Sequence, residues 1–457
     1  MGNAVARKFC AAAMVGWFAG ALPAQDPTSV VREGPHFAIE FHPDTMPVPL
    51  ATRLADEALA TVESAWPTFE KQLQLKPGPR TTVQIHVAPD PYRAAESRLQ
   101  ASKTTITGVV APDGSEGHVL LYPHQTEAIL DQVGLPYSTR QCVVSIAGKM
   151  LAQKQLGEKA DDWAAEVIAV GMLEAWANPE RLPAMDTGFD NRRFRVVGRH
   201  LRGEGTQLAP LVSELRPVVS GEAWVERFAE RALLAEQMAR VDPLWVRRFV
   251  SRWRMRKGDV VQIADRMDAV EAVLGGDWKR NEARFAQTVK AMRPMWQVAC
   301  PEVWRDRSAW LLLGNPKMNA CLYAVALPPA GPYAIHGTFE APPFLERGAF
   351  RVLLDATAQG MLGVWFEAPN VYVKTWRPNG DVWTELKAGS ARFQAGEAVD
   401  FRIEVTKLSV RVEVNSHEAL VWPVGTRSMH AEWGIAVGET LTRVTGLAIE
   451  PLREPKK

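Results

Sequence analysis

The sequence predicts two domains of different class, an α+β domain followed by an all-β antiparallel sandwich. Three observations lead there. The chain has 457 residues, more than one ordinary hydrophobic core accommodates. Up to about residue 293, strand-like alternation and helical spacing are intermixed. After Arg293-Pro294 short alternating segments follow one another, separated by Gly, Pro, Asn and Lys turns, with no helix between them. The division is therefore set at 294/295, giving domains over 25–294 and 295–457 behind a leader over 1–24.

The leader is read from its three parts. MGNAVARKF carries two positive charges, CAAAMVGWFAGAL is a short apolar run, and LPAQD offers small residues for cleavage near Ala24. The apolar run is shorter than the roughly 20 residues that span a bilayer, so a removable signal is expected and not an anchor. A secreted or periplasmic location follows, with no membrane span after cleavage. With Lys+Arg 53 against Asp+Glu 52, the net charge of +1 creates no field toward nucleic acid or acidic lipid, which argues against both as partners.

Cys10 falls within the leader, leaving Cys142, Cys300 and Cys321. In an oxidising compartment Cys300 and Cys321 could pair, an option that spacing leaves open. No CxxC pair is present, which argues against a cysteine zinc site.

In chain order, HFAIEF alternates as a strand and LATRLADEALATVESAW places Leu50, Leu54, Ala58, Val62 and Trp66 at helical spacing. TTVQIHVAP alternates again, and GVVAPDGSEGHVLLYP reads as two short strands around Pro112-Asp113-Gly114-Ser115. Ser138 is the expected N-cap of a helix running to about Gln155 and ending at Gly157. A second helix is expected from Asp162 to Asn178, stopped by Pro179. AWVERFAERALLAEQMARV, PLWVRRFVSRWRM and WKRNEARFAQTVKAM continue the helical part. In the second domain the expected strands are AFRVLLDA, GVWFEA, VYVKTW, DFRIEVTK, LSVRVEVN, ALVWPV, WGIAV and VTGLAIEPL. No repeat of solenoid period is present.

The helix containing SIAGK, residues 145–149, has the register of a zinc-peptidase helix. In H-E-x-x-H two His project from one helical face onto a metal and the Glu activates its bound water. VGMLEAW, residues 170–176, follows on the next helix, with Val170 21 residues beyond Lys149. Over roughly 35–292 this layout resembles the secreted, peptidase-MA-like gluzincins, which implies a zincin-like (thermolysin-type) fold. That resemblance places Ser145 and Lys149 at the histidine positions, Ile146 at the general base and Val170 at the zinc glutamate. Gly171 and Glu174 match the remaining signature. All four functional positions depart from the family pattern, and no histidine lies between His124 and His200 to replace them. No catalytic residue, no metal and no cofactor is therefore expected. Lys149 is expected to fill the vacated space with its stem and to reach Glu166 or Glu174.

Other chemistries are open to nearby residues. A Ser145–Lys149 pair at i, i+4 could form a nucleophile and base, although no oxyanion hole is recognisable. Cys142 could act as a nucleophile, but a small residue on a core-facing helix is the plainer reading. His118 and His124 with Asp113 or Glu116 could make half a metal site, or be solvated histidines near a strand end. RFVSRWRMRK, residues 248–257, could meet phosphate or sulfate, or be the solvated face of a helix.

The second domain resembles the concanavalin-like, laminin-G-like jelly-roll sandwiches attached to many secreted proteins. FRIEVTKLSVRVEVNSHEALVWPV, residues 401–424, carries that likeness, with Asn415-Ser416 where such domains often have Asn-Gly. Trp365, Tyr372, Trp376 and Trp383 cluster around an RPNG turn, and aromatic faces stack on sugar C–H edges. Alternation puts Tyr372, Lys374 and Trp376 on one face, and the lysine makes it the outer one. Tyr372, Trp376 and Trp383 are the candidate ligand-binding residues, for a carbohydrate or cell-envelope polymer. The expected function is that of a non-catalytic pseudo-metallopeptidase. A hydrolase with an unrecognised site, or a structural component of the envelope, are the alternatives.

Overall fold

The computed structural model describes residues 29–452 apart from 77, 100–102, 106–107, 122–126, 128–129, 132–133, 158–160, 178–220, 257–260, 277, 292–295, 299–302, 307–308, 315–319, 325–327, 342–349, 358–359, 368, 377–382, 395, 426–431 and 439. The leader expected over 1–24, His124, Cys300 with its pairing to Cys321, and the RPNG turn lie outside the described residues. The chain divides into two compact units, one formed by 21–185 with 192–293 and the other built on 294–457.

The first unit holds a mixed sheet of six strands: β1 (Val30–Glu33), β2 (Phe37–His42), β3 (Thr81–His86), β4 (Lys103–Thr105), β5 (Gly108–Val110) and β6 (Gly117–Leu120). Their order is β1-β2-β3-β6-β5-β4. β2, β3 and β6 run parallel at the centre, and β1, β5 and β4 add antiparallel edges. Crossover helix α1 (Val48–Leu73) connects β2 to β3 and buries Leu50, Leu54, Ala58 and Val62. It runs past the expected end at Trp66 and through Pro67. Apolar contacts hold that extension, with Phe69 meeting Phe37 edge to face at 6.1 Å. The helix α2 (Pro89–Leu99) follows β3, while β1 and β4 were not legible in the sequence.

α3 (Tyr137–Leu156) and α4 (Asp162–Ala177) lie deepest in this unit. α3 starts at Tyr137 with Pro136 as its N-cap, two residues ahead of the expected Ser138 cap. The two helices approach closely at Gly148, where an added Cβ would lie 3.2 Å from Met172 and 3.7 Å from the Ala169 backbone. α5 (Gly221–Val241), α6 (Trp245–Arg254), α7 (Ile263–Leu274) and α8 (Trp278–Ala291) complete the unit. The basic run on α6 is tied to neighbours: Arg248 to Asp242, Arg252 to Asp268 and Arg254 to the Gln155 carbonyl.

The second unit is two seven-stranded antiparallel sheets. One contains β7 (Trp296–Val298), β10 (Ala320–Ala324), β12 (Phe350–Thr357), β13 (Gly360–Glu367), β14 (Asn370–Trp376), β15 (Trp383–Ser390) and β19 (Glu432–Val437), in the order β15-β14-β13-β12-β19-β10-β7. The other contains β8 (Val303–Asp306), β9 (Ala309–Leu313), β11 (Tyr333–Glu340), β16 (Ala398–Val405), β17 (Ser409–Val414), β18 (His417–Pro423) and β20 (Leu441–Pro451), in the order β18-β17-β16-β11-β20-β9-β8. Phenylalanines join the sheets as a sandwich. Phe339 on β11 stacks on Phe350 of β12 at 4.3 Å, and Phe401 on β16 lies 5.7 Å from Phe366 of β13.

The hairpin β17–β18 turns at Asn415 and Ser416, with φ of 50° and 65°. Positive φ at both central residues is the turn that matches strand twist, and glycine adopts it without strain at the second place. Ser416→Gly is therefore expected to stabilise the sandwich by about 0.5–1 kcal/mol, read as a higher unfolding midpoint of the full chain in urea.

Candidate functional site

Three places concentrate polar chemistry, two in the first unit and one in the second. At the first, α3 and α4 bury every residue aligned above with the zinc-peptidase signature: Ser145, Ile146 and Lys149 are 0% exposed and Val170 is 1% exposed. Lys149 Nζ lies 2.5 Å from Asp162 Oδ1 and 3.4 Å from Glu166 Oε1. Glu166 was one of the two expected partners; Asp162, one turn earlier on α4, was not foreseen. Glu166 also pairs with Arg231 on α5, and Arg266 on α7 pairs with Asp161 at 3.0 Å while covering the Trp163 ring. Three cations thus meet three carboxylates, two of them, Asp161 and Asp162, at the start of α4, where the helix dipole favours negative charge.

Burial lowers the Lys149 pKa, opposed by Asp162 beside it, and lowers that of Arg231 to about 10. Ser145 Oγ is buried with no hydrogen-bond partner among the described residues, so it is not joined to Lys149 as a nucleophile–base pair would be. These residues do not fit a zinc ion. An ammonium, a hydroxyl and two alkyl chains supply no imidazole or carboxylate at the four positions.

The second place is a stack of three histidines across the central strands. His42 and His86 are register partners on β2 and β3, with ring centroids 4.6 Å apart and planes 4° apart. His118 on β6 stacks on the other side of His86 at 5.2 Å. His118 Nε2 lies 3.3 Å from Glu116, which Arg98 holds at 2.5 Å. If His118 donates there, its Nδ1 accepts from His86 Nε2 at 3.0 Å, and His86 Nδ1 is left as the buried atom with no partner. The expectation of a solvated His118 is corrected, since it is 2% exposed. The near-parallel rings of His42 and His86 keep their nitrogens from converging on one ion. Among the described residues no group of three or more His, Cys, Asp or Glu is placed to hold a metal.

The third place is the outer face of β12–β15. Because Phe350 and Phe366 point inward, pleating sends Arg351, Trp365, Glu367, Asn370, Tyr372, Lys374 and Trp376 outward. Tyr372, Trp376 and Trp383 are half-buried there, and Trp376 and Trp383 are register partners on β14 and β15. Trp365 is 8% exposed: the Arg351 guanidinium covers its ring at 3.8 Å, and Trp383 meets it edge-on at 5.1 Å. Lys374 Nζ lies 4.3 Å from the Trp365 ring and 4.5 Å from that of Tyr372, and pairs with Glu367 at 2.9 Å. Asn370 Nδ2 donates to Tyr372 Oη at 3.0 Å. Arg351 and Glu367 were missed as members because alternation was followed along one strand and not across the sheet.

No family model and no curated protein matches the sequence. Solved structures similar to the β unit include a carbohydrate-binding module, galectins, carbohydrate recognition domains and a putative glycosyl hydrolase. The carbohydrate-binding module CBM66 from Bacillus subtilis is 9% identical with a TM-score of 0.28, covering 34% of this chain and 95% of that one. Sheep galectin-11 in complex with glycerol is 14% identical with a TM-score of 0.23, covering 30% and 99%. The VIP36 exoplasmic/lumenal domain in its Ca2+/Man3GlcNAc-bound form is 10% identical with a TM-score of 0.29, covering 36% and 86%.

Lys149→Met leaves Glu166 and Asp162 short of a cation, and a buried unpaired charge costs about 3–5 kcal/mol. The lower end is expected, because Arg231 remains and Asp162 is 44% exposed. Denaturant unfolding measures this, and adding Glu166→Gln should recover part of the loss.

Burial, with the charges of His42 and His118, holds the His86 pKa at about 3 against an ordinary 6.5; burial lowers that of His118 as well. A histidine depressed by folding binds its proton more readily in the unfolded chain. Its contribution is complete above pH 6.5 and is lost as pH falls toward 3. Stability of the first unit should decline over that window, by up to roughly 1.4 kcal/mol per pH unit from His86. His86→Phe, which keeps a ring in the stack, should flatten that decline in pH-dependent thermal unfolding.

Proposed function

We propose that the second unit binds a carbohydrate through the outer face of β13–β15, within a non-catalytic protein that is secreted or periplasmic. The observation that carries this is the register pair Trp376–Trp383, half-buried on a face whose opposite side is already filled with phenylalanine. Indole and phenol rings offer flat apolar surface to pyranose C–H groups. Asn370, Lys374 and Glu367 beside them offer donors and acceptors for hydroxyls, the mixture that small-ligand sites use. A concanavalin-like jelly-roll assignment is in keeping with two antiparallel sheets packed face to face.

The first unit is proposed as a gluzincin-like domain that has lost its metal. Supporting that reading, SIAGK and VGMLEAW lie on two packed helices and Lys149 is locked into ion pairs between them. Its role is then structural. The leader residues favour export, and no helix among the described residues is long and apolar enough to cross a membrane.

On a glycan array, the full chain is expected to bind a restricted set of glycans. Trp376→Ala and Trp383→Ala should each weaken that binding by about tenfold or more, with thermal unfolding little changed. Binding that survives both substitutions would remove this face from consideration, and release of sugar from any bound glycan would overturn the non-catalytic reading.

A further inference from the structure

The outer face holds more than stacking surface. Arg351, Trp365 and Tyr372 form one cross-strand row over β12, β13 and β14, each the register partner of the next. Arg351 covers Trp365 at 3.8 Å, yet its Nε is buried with no hydrogen-bond partner among the described residues. Trp365 Nε1 is buried and without a partner in the same way. Both groups are donors only. Both atoms are closed to solvent, so a ligand would meet not them but the outer end of the half-buried Arg351 guanidinium.

The described carboxylates nearby do not pair with that guanidinium. Glu367 is committed to Lys374 at 2.9 Å. Glu385, the register partner of Lys374, is exposed on the edge strand, where water screens its charge. Among the described residues no ion pair joins Arg351 to an acid, so its planar fork remains open to an oxyanion, the group it matches best.

Resting on the carbohydrate-binding reading above, we infer that the sugar recognised at this face is acidic, with its carboxylate or sulfate held by Arg351 beside Trp365 and a neighbouring ring stacked on Tyr372 or Trp376. Arg351 supplies the specificity and the aromatic residues the area. A neutral glycan would leave the Arg351 guanidinium without a counter-charge and should bind less tightly.

The test compares the full chain on dextran, dextran sulfate, polygalacturonate and a neutral galactan, as wild type and as Arg351→Gln and Arg351→Lys. Expected is tighter binding to at least one acidic polymer than to either neutral one, reduced about tenfold or more by Arg351→Gln and less by Arg351→Lys, which keeps the charge without the fork. Dextran sulfate and polygalacturonate separate sulfate from carboxylate recognition. Neutral polymers bound as tightly as acidic ones would overturn this inference while leaving carbohydrate binding intact. Acidic binding indifferent to Arg351→Gln would overturn it as plain charge attraction. Absence of binding to all four polymers and across a glycan array would overturn both. Should Arg351→Gln fail to fold, Arg351→Lys against wild type gives the same decision.

Discussion

Pleating in a two-sheet core constrains everything proposed for this protein. Phe339, Phe350, Phe366 and Phe401 fill the space between the sheets, so residues of opposite parity on β12, β13 and β14 have only the outer face to occupy. Aromatic residues left there would ordinarily be a solubility cost, and large exposed apolar patches on soluble proteins mark binding surfaces. Here part of that cost is offset locally. Arg351 and Lys374 lie over Trp365 and Tyr372, and cation–π contact shields the rings while keeping charge at the surface. What stays partly open is the pair at the end of the sheet, Trp376 and Trp383.

The first unit meets a different constraint, that of keeping charge inside a helical core. A lysine that is 0% exposed is tolerated only when paired. Two acids on α4 supply the pairing, and Arg231 and Arg266 from later helices, with Asp161 just ahead of α4, bring the cluster to three charges of each sign. An ion network of this kind joins α3, α4, α5 and α7. The histidine stack is the contrasting device: burial there favours the neutral form, so the rings pack as aromatic bodies.

Local periodicity made much of this legible. β2, β3, α1, α4 and the β17–β18 hairpin were visible as alternation or helical spacing; parity put Tyr372, Lys374 and Trp376 on one face and the lysine marked that face as the outer one. Long-range pairing was not visible. His42, His86 and His118 lie on strands that meet only in the folded sheet, and Arg351 is joined to Trp365 across β12 and β13. Asp162 escaped notice because it reads as a first-turn acid, a role it also fills. Short strands such as β4, β7 and β10 carry too few residues for alternation to declare itself. The Ser138 cap was misplaced by two residues, since Pro136 is the N-cap and the helix begins at Tyr137.

Fluorotryptophan NMR of the full chain, with resonances assigned by single Trp→Phe substitutions, tests the central claim most directly. On titration with a bound polysaccharide, Trp376 and Trp383 should shift, while Trp310 and Trp433, which are 5% and 2% exposed, should stay in place. Shifts confined to the buried pair, with Trp376 and Trp383 unmoved at saturation, would contradict binding at the outer face.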